Sequence, residues 1–136
     1  MLSMWSVHLQ LEDRNRPKEA TEVVCDTLQS QMAVVETAEE DVYVRGWLTQ
    51  ISGSVGVDCI WIGLTDANIE GRWTIFKTNQ LAQYTGWSPG EPNGGINANC
   101  AVLWKRVGYM WADENCHSHR AVLCETPFQE ATIPVG

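Results

Sequence analysis

The chain has 136 residues, with 9 basic and 17 acidic side chains and a formal net charge of −8. This length suits a single domain, which we expect to span residues 1–136. The acidic balance argues against nucleic acid and anionic membrane as partners, because both attract basic surfaces. No apolar run approaches the roughly 18 residues of a membrane-spanning helix, so we expect a soluble chain with no membrane insertion.

The N-terminal third predicts one helix and one short strand. Residues 12–16 are polar and charged, and Pro17 follows them at a position where proline favours the start of a helix. Residues 32–36 form a short apolar run typical of a strand. The apolar face of the predicted helix is formed by Ala20, Val23, Val24 and Leu28.

A capping box predicts where the second helix begins. The Thr37 hydroxyl can accept the backbone N–H three residues later, while Glu40 can reach back toward the helix start. Gly53 and Gly56 are expected to end this helix, since glycine favours helix C-termini. Its apolar residues recur at helical spacing at Val44, Trp47, Leu48 and Ile51.

The second half of the chain predicts short strands and one long loop. The strands are expected at residues 59–64, 72–76, 100–104, 107–111 and 120–124, which are rich in β-branched and aromatic side chains. Residues 77–99 are polar and contain several glycines, prolines and asparagines. A loop of this length inside a domain is usually functional. The predicted fold class is therefore α+β, with two helices, a mostly antiparallel sheet and a functional loop.

Five cysteines favour a disulfide framework. They are Cys25, Cys59, Cys100, Cys116 and Cys124, and none lies in a C-x-x-C pair. Disulfides indicate an oxidising compartment, so we expect a secreted protein, although residues 1–8 do not have the pattern of a signal peptide. Two internal bridges leave one cysteine over, which is either free and buried or joined to another chain.

Several motifs of the second half occur in a familiar order. They are W-I-G-L at 61–64, W-S-P-G-E-P-N at 87–93, W-A-D at 111–113, and Cys116 and Cys124 followed by Glu125. Together they resemble the C-type lectin-like domain, and the resemblance covers about residues 17–125. It implies the C-type lectin-like fold, with two helices, a small sheet, a long ligand loop and disulfide staples.

The resemblance also implies a pairing of the cysteines. It joins Cys25 to Cys124, which ties the first helix to the last strand, and Cys100 to Cys116, at the base of the long loop. Cys59 is then the odd cysteine. We expect it to form an inter-chain disulfide that makes a dimer, and a buried free thiol is the alternative.

In sugar-binding members of this family a calcium ion bridges protein and sugar, and calcium needs six to eight oxygen ligands. The resemblance implies that Glu91, Asn93 and Asp113 occupy ligand positions. Two further ligand positions hold Ala98 and Ala112, whose methyl groups coordinate nothing. The auxiliary calcium site is also incomplete: Asp66 and Glu70 match it, whereas Gly94 and Asn99 stand where further acids would help. We therefore expect no tightly held calcium, and leave calcium dependence open.

Three functional hypotheses follow from this incomplete site. In the first, the loop binds N-acetylated hexoses (GlcNAc or GalNAc) directly through hydrogen bonds, independently of calcium. In the second, calcium binds weakly and a preference for mannose, glucose or GlcNAc persists. In the third, the domain binds protein or a mineral matrix. The candidate sugar-binding residues are Glu91, Asn93, Asn97 and Asp113, with Tyr109, Trp111, His117 or His119 supplying a ring.

The sequence predicts a binding module and no enzyme. No nucleophile motif is present, and Glu91 and Asp113 would imitate a glycosidase pair only in a cleft that excludes water. The family resemblance implies a shallow loop instead. Recognition of microbial surface glycans in innate immunity is an expectation by analogy with the family.

Overall fold

The computed structural model describes residues 7–51 and 57–127 and contains two helices and seven strands within them. The helices are α1 (Lys18–Thr27) and α2 (Ala38–Ile51). The strands are β1 (Val7–Arg16), β2 (Gln31–Met32), β3 (Cys59–Thr65), β4 (Thr74–Ile75), β5 (Cys100–Trp104), β6 (Met110–Glu114) and β7 (Arg120–Pro127). No helix in these two ranges is long and apolar enough to cross a membrane.

Both helices begin where the sequence predicts. Pro17 occupies the N-cap of α1 with φ −59°, which suits its ring. At the start of α2, the Glu40 backbone N–H donates to the Thr37 hydroxyl at 3.1 Å, as the capping box requires. The glycines expected to end α2, Gly53 and Gly56, lie outside the described residues.

The sheet has the order β1-β7-β3-β5-β6, with β2 paired to β7 and β4 to β3. Neighbouring strands are antiparallel except for β3 and β7, which run parallel. The α+β prediction with a mostly antiparallel sheet is therefore confirmed. Along β3, Ile60, Ile62 and Leu64 face one core cluster, whereas Trp61 faces the other. This alternation follows from the two-residue period of a strand.

Strand β1 is the main element that the sequence prediction missed. It pairs antiparallel with β7 from Val7 opposite Pro127 to Glu12 opposite Val122, and the register shifts before Arg16. Leu9 and Leu11 alternate along it and pack against the core. The apolar alternation at Leu9 and Leu11 is short, and the polar and charged residues 12–16 that follow it are typical of a polar segment. The sequence pattern therefore did not indicate a strand.

Three other strand predictions were wrong in their bounds. The run at 32–36 contributes only the end of β2, and the run at 72–76 contributes only β4. The strand predicted at 107–111 begins at Met110 instead. Lys105–Val107 forms a 3-10 turn, and Gly108 and Tyr109 have φ of 68° and 64°, which no strand accommodates.

The disulfide pairing agrees with the pairing that the family resemblance implied. Cys25 is bonded to Cys124 across 99 residues, and Cys100 to Cys116 across 16. Cys59 is a free cysteine and is only 7% exposed. Because an inter-chain disulfide needs an accessible sulfur, this burial supports the free-thiol alternative against the expected dimer.

Candidate functional site

The long loop is held on β6 by a group of tryptophans. The Trp87 ring packs edge-on against Trp73 at 4.8 Å and against Trp111 at 5.6 Å, measured between ring centroids. The Trp111 backbone N–H donates to the Gly86 carbonyl at 2.9 Å, and the Ser88 N–H donates to the Trp111 carbonyl at the same distance. These contacts fix the start of the E-P-N segment relative to β6.

A buried carboxylate connects the same region to α2. Asp41 is 4% exposed and accepts hydrogen bonds from the Tyr84 hydroxyl at 2.8 Å and from the Trp111 indole N–H at 3.2 Å. Gly86 lies against this network, since a Cβ there would meet the Trp111 indole nitrogen at 2.9 Å. Asp41 lies in the acidic first turn of α2, and its position in the sequence gives no sign of these partners.

Asp113 holds the turn that follows the E-P-N motif. Its Oδ1 accepts the Asn93 backbone N–H at 2.9 Å, and its Oδ2 accepts the Gly94 N–H at 2.7 Å. The Glu91–Pro92 peptide bond is cis. Both oxygens of Asp113 are thus engaged by the loop backbone.

Glu91 and Asp113 form a carboxyl pair. Burial, a hydrogen bond to Asp113 and the charge of Asp113 raise the pKa of Glu91 to about 7. Burial opposes ionisation of Asp113, but the hydrogen bond from Glu91 and the backbone N–H groups of Asn93 and Gly94 lower its pKa. Glu91 therefore carries the pair's proton below about pH 7 and loses it as the pH rises through that value. Its Oε2 is buried without a hydrogen-bond partner.

The residues around this pair do not fit a tightly bound calcium ion. Ala98 is 8% exposed and packs so closely against Gly94 that a Cβ on Gly94 would lie 2.2 Å from the Ala98 methyl. Ala112 is 5% exposed and supplies a second methyl group. Within residues 7–51 and 57–127, no group of three His, Cys, Asp or Glu side chains is arranged to hold a metal ion.

The neighbouring turn, at the auxiliary calcium position, retains unsatisfied oxygen atoms. Asp66 is 2% exposed, and its Oδ2 accepts the Gly71 N–H at 2.9 Å while its Oδ1 has no hydrogen-bond partner. The Asn99 side-chain oxygen is also buried and unpartnered. The Asp66 backbone N–H donates to the Asn99 carbonyl at 3.2 Å, which joins this turn to the loop.

The structure brings together only some of the predicted sugar-binding residues. Glu91, Asn93 and Asp113 meet at one point, and Asn97 lies exposed on the adjoining 3-10 turn, Gly95–Asn97. The candidate ring side chains differ in their exposure. Tyr109 is 2% exposed within the core, and Trp111 is fully buried, so neither presents a face to a ligand, whereas His117 and His119 are exposed beyond β6. Sequence reasoning also missed Ile96, which is 76% exposed on the same turn.

Comparison with known sequences decides the family. The sequence model of the Lectin C-type domain matches residues 15–126. The chain belongs to the C-type lectin domain family. Perlucin from Haliotis laevigata is 36% identical over 104 residues, covering 74% of this C-type lectin domain and 64% of perlucin. A perlucin-like protein from Mytilus galloprovincialis is 27% identical over 95 residues, covering 69% of this chain and 59% of that protein. The chain thus spans less than two thirds of the length of these curated relatives.

A solved structure supports the fold assignment. The mouse scavenger receptor C-type lectin carbohydrate-recognition domain superposes with a TM-score of 0.80, covering 94% of both chains at 21% identity. This likeness shows that the C-type lectin domain described here has the fold of that domain.

Proposed function

We propose that this C-type lectin domain binds hexoses carrying an N-acetyl group, GlcNAc or GalNAc, through its E-P-N loop and without tightly held calcium. One observation carries the proposal: the Asp113 carboxylate holds the turn at Asn93 and Gly94 directly. The loop therefore has an internal support at a position where the family resemblance implies a calcium ligand. The exposed amides of Asn93 and Asn97, together with Glu91, can donate to and accept from sugar hydroxyls and the acetamido group.

The apolar part of an acetamido group needs a separate contact. Because Tyr109 lies in the core, we assign this contact to exposed side chains, either Ile96 on the loop or His117 or His119 beyond β6. The biological partners in this proposal are extracellular glycans with terminal N-acetylated sugars, such as those on microbial surfaces. The two disulfides support an extracellular location.

A glycan array probed with calcium and again with a chelator tests the proposal. We expect equal GlcNAc and GalNAc signals under both conditions. Asn93→Ala should abolish the signal, because it removes an exposed amide while keeping the backbone N–H bonded to Asp113. Asn15→Ala, an exposed asparagine on β1, is the matched control and should bind as the wild type does. The absence of signal under both conditions would overturn sugar binding.

Weak calcium binding with a preference for mannose or GlcNAc is the second candidate function. The unpartnered buried oxygens of Asp66 and Asn99 favour it, because a hard cation accepts such oxygen donors. In this case the chelator would remove the array signal, and Asp66→Asn would weaken binding in the presence of calcium.

Binding to a mineral matrix or to protein is the third candidate. The net charge of −8 supports it, since an acidic surface attracts cationic crystal faces. Adsorption to carbonate particles with no glycan signal would favour this function over the other two.

A further inference from the structure

We propose that this C-type lectin domain binds free medium-chain fatty acids in a groove between β1 and α1, separate from the E-P-N loop. The groove has a volume of about 480 Å³, which lies within the range of small-molecule sites. It lies beside β1, at the edge of the sheet opposite β6. Charged side chains of β1 form one wall, and apolar side chains from α1 and its C-terminal cap form most of the other.

The apolar face that the sequence predicts for α1 does not pack into the core. The residues of this helix that are buried are polar or disulfide-bonded, and they are Lys18, Thr21 and Cys25. Val23 is instead 61% exposed and Leu28 is 40% exposed, and both line the groove together with Ala20 and Val24. Apolar side chains that share one exposed groove are typical of a ligand-binding surface.

The two walls of the fatty-acid groove are fixed relative to each other. Cys25 of α1 is bonded to Cys124 of β7, with 5.6 Å between their Cα atoms, and Gln10 of β1 is paired with the same Cys124. Arg16 ends β1 and Lys18 begins α1, so the helix returns alongside the strand. Its first turn is therefore next to Arg16, and its middle is level with Gln10. The groove is built from two rigid elements and exists before a ligand binds.

The charged wall carries an excess of positive charge. Arg14 and Arg16 line the groove together with one acidic residue, Glu12. The Nε of Arg14 lies 3.7 Å from the Glu12 carboxylate, and the Arg14 side chain is 73% exposed. Among the side chains that the structure describes, none forms an ion pair with Arg16. In a chain of net charge −8, this local surplus of positive charge favours an anionic ligand.

The combination of a basic wall and an apolar wall selects the ligand chemistry. A guanidinium group binds a carboxylate through two parallel hydrogen bonds, and Arg16 lies at the end of the groove where α1 begins. From Ala20 to Leu28 the apolar wall extends about 12 Å along the helix axis, a length that a medium-chain alkyl group covers. The carboxylate of the fatty acid therefore binds at Arg14 and Arg16, and its alkyl chain follows α1 toward Leu28. An alkylammonium ion would bring like charge to the arginines.

NMR titration of the ¹⁵N-labelled chain with octanoate, kept below its micelle concentration, tests the site. We expect saturable shifts of the backbone amides of Arg14, Ala20 and Val24. Octylammonium should bind roughly five-fold more weakly, the equivalent of one exposed ion pair, and acetate should produce no saturable shift. Equal affinity for octanoate and octylammonium would overturn the proposal.

Two other occupants of the groove are separated by the same signals. Shifts that appear when the protein concentration alone is raised would assign the groove to a second copy of the chain. Shifts with anionic phospholipid vesicles but not with octanoate would assign it to a membrane surface. Either result would overturn the assignment to a free fatty acid.

Matched charge variants test the basic wall. The double substitution Arg14→Gln and Arg16→Gln should weaken octanoate binding roughly five-fold. Arg72→Gln changes an exposed arginine that does not line the groove, and should leave binding unchanged. Glu12→Gln removes the acidic residue of the same wall and should strengthen binding roughly two-fold. Equal losses in the double variant and in Arg72→Gln would contradict the site.

A second pair of variants tests the apolar wall. Val23→Gln should weaken octanoate binding roughly three-fold, because the alkyl chain loses apolar contact with α1. Val42→Gln is the matched control, since Val42 is 70% exposed on α2 and does not line the groove. If Val23→Gln bound octanoate as tightly as Val42→Gln does, the alkyl chain would not lie along α1.

Discussion

Asp113 has a structural role at a position where the family resemblance implies a metal ligand. The sequence motif predicts a metal ligand, whereas the structure shows both carboxylate oxygens accepting backbone N–H groups of Asn93 and Gly94. In this position the carboxylate fixes the backbone of the E-P-N turn directly. The residue therefore supports the loop even when few other ligands are present.

Asp113→Ala is expected to loosen the E-P-N loop. It leaves the Asn93 and Gly94 N–H groups without their acceptor, at a cost of roughly 1 kcal/mol for each lost bond. Amide hydrogen exchange should accelerate at Asn93 and Gly94 with little change in β3. Asp113→Asn retains one acceptor oxygen and should show the smaller effect. Unchanged exchange in both variants would contradict the assigned role.

Glu125 is expected to make stability fall as pH rises. The folded chain holds this proton up to about pH 7, whereas an unfolded glutamate releases it near pH 4.5. Across that window the unfolded state therefore binds fewer protons, and the free energy of unfolding falls by roughly 3 kcal/mol from this group. Urea unfolding at a series of pH values measures the slope.

Glu125→Gln isolates this contribution. The amide oxygen can still accept the Val34 N–H, but it does not titrate. The variant should therefore have a flatter pH dependence and exceed the wild type in stability above pH 7. Glu39→Gln, at an exposed position on α2, serves as the control and should preserve the wild-type slope. If the stability of Glu125→Gln depended on pH as strongly as that of the wild type, titration of Glu125 would not be the cause of the slope.

At the scale of elements, α2 and the long loop are joined by one buried group. Asp41→Ala would leave the Tyr84 hydroxyl and the Trp111 indole N–H without an acceptor, and we expect a loss of about 2 kcal/mol in the free energy of unfolding. Tyr84→Phe removes only one donor and should cost about half as much.

A spectroscopic titration gives this prediction a second measurement. Burial, the hydrogen bond to Asp41 and the charge of Asp41 raise the pKa of Tyr84 to about 12. Removing Asp41 should therefore lower that pKa toward the ordinary tyrosine value of about 10. Ultraviolet absorbance of the phenolate, compared between Asp41→Ala and the wild type, measures the change. A Tyr84 pKa that does not move would show that burial alone sets it.

Elements with strong local signals were predictable, and those that depend on distant partners were not. The capping box at Thr37 located α2, since its hydrogen bond lies within one turn. Strand β1 was missed because only Leu9 and Leu11 mark its buried face, and pairing with β7 defines the rest. Gly108 and Tyr109 both have a left-handed backbone conformation, which the sequence pattern did not predict. The Tyr109 ring, predicted to contact a ligand, is buried in the core.

The same contrast between local signals and distant contacts applies to the candidate site. The family resemblance implied that Glu91, Asn93 and Asp113 belong to one site, and the three residues lie near one another in the structure. The role of Asp41 depends on contacts between segments far apart in the chain, and residue type alone does not encode such contacts. Sequence motifs therefore indicated the E-P-N loop better than they indicated its contacts with the rest of the fold.

At the scale of the whole molecule, the buried Cys59 predicts a chain without an inter-chain disulfide. Its thiol is 7% exposed, and burial raises its pKa, which further suppresses the reactive thiolate. We expect one band of unchanged mobility on gels with and without reductant. A thiol-reactive probe should label the wild type only after denaturation, and Cys59→Ser should remain unlabelled. A band at twice the chain mass that disappears on addition of reductant would instead show a disulfide-linked dimer.

The pairing of Val7 with Pro127 has a practical consequence for presentation of the domain. Asp113 lies on β6, at the opposite edge of the sheet. Val7 on β1 is four strand spacings from β6, or roughly 19 Å, and Pro127 on β7 is three spacings from it, or roughly 14 Å. A surface linker or a fluorescent carrier attached at Val7 or at Pro127 therefore emerges remote from the loop. Immobilisation through either residue leaves the E-P-N surface facing the solution.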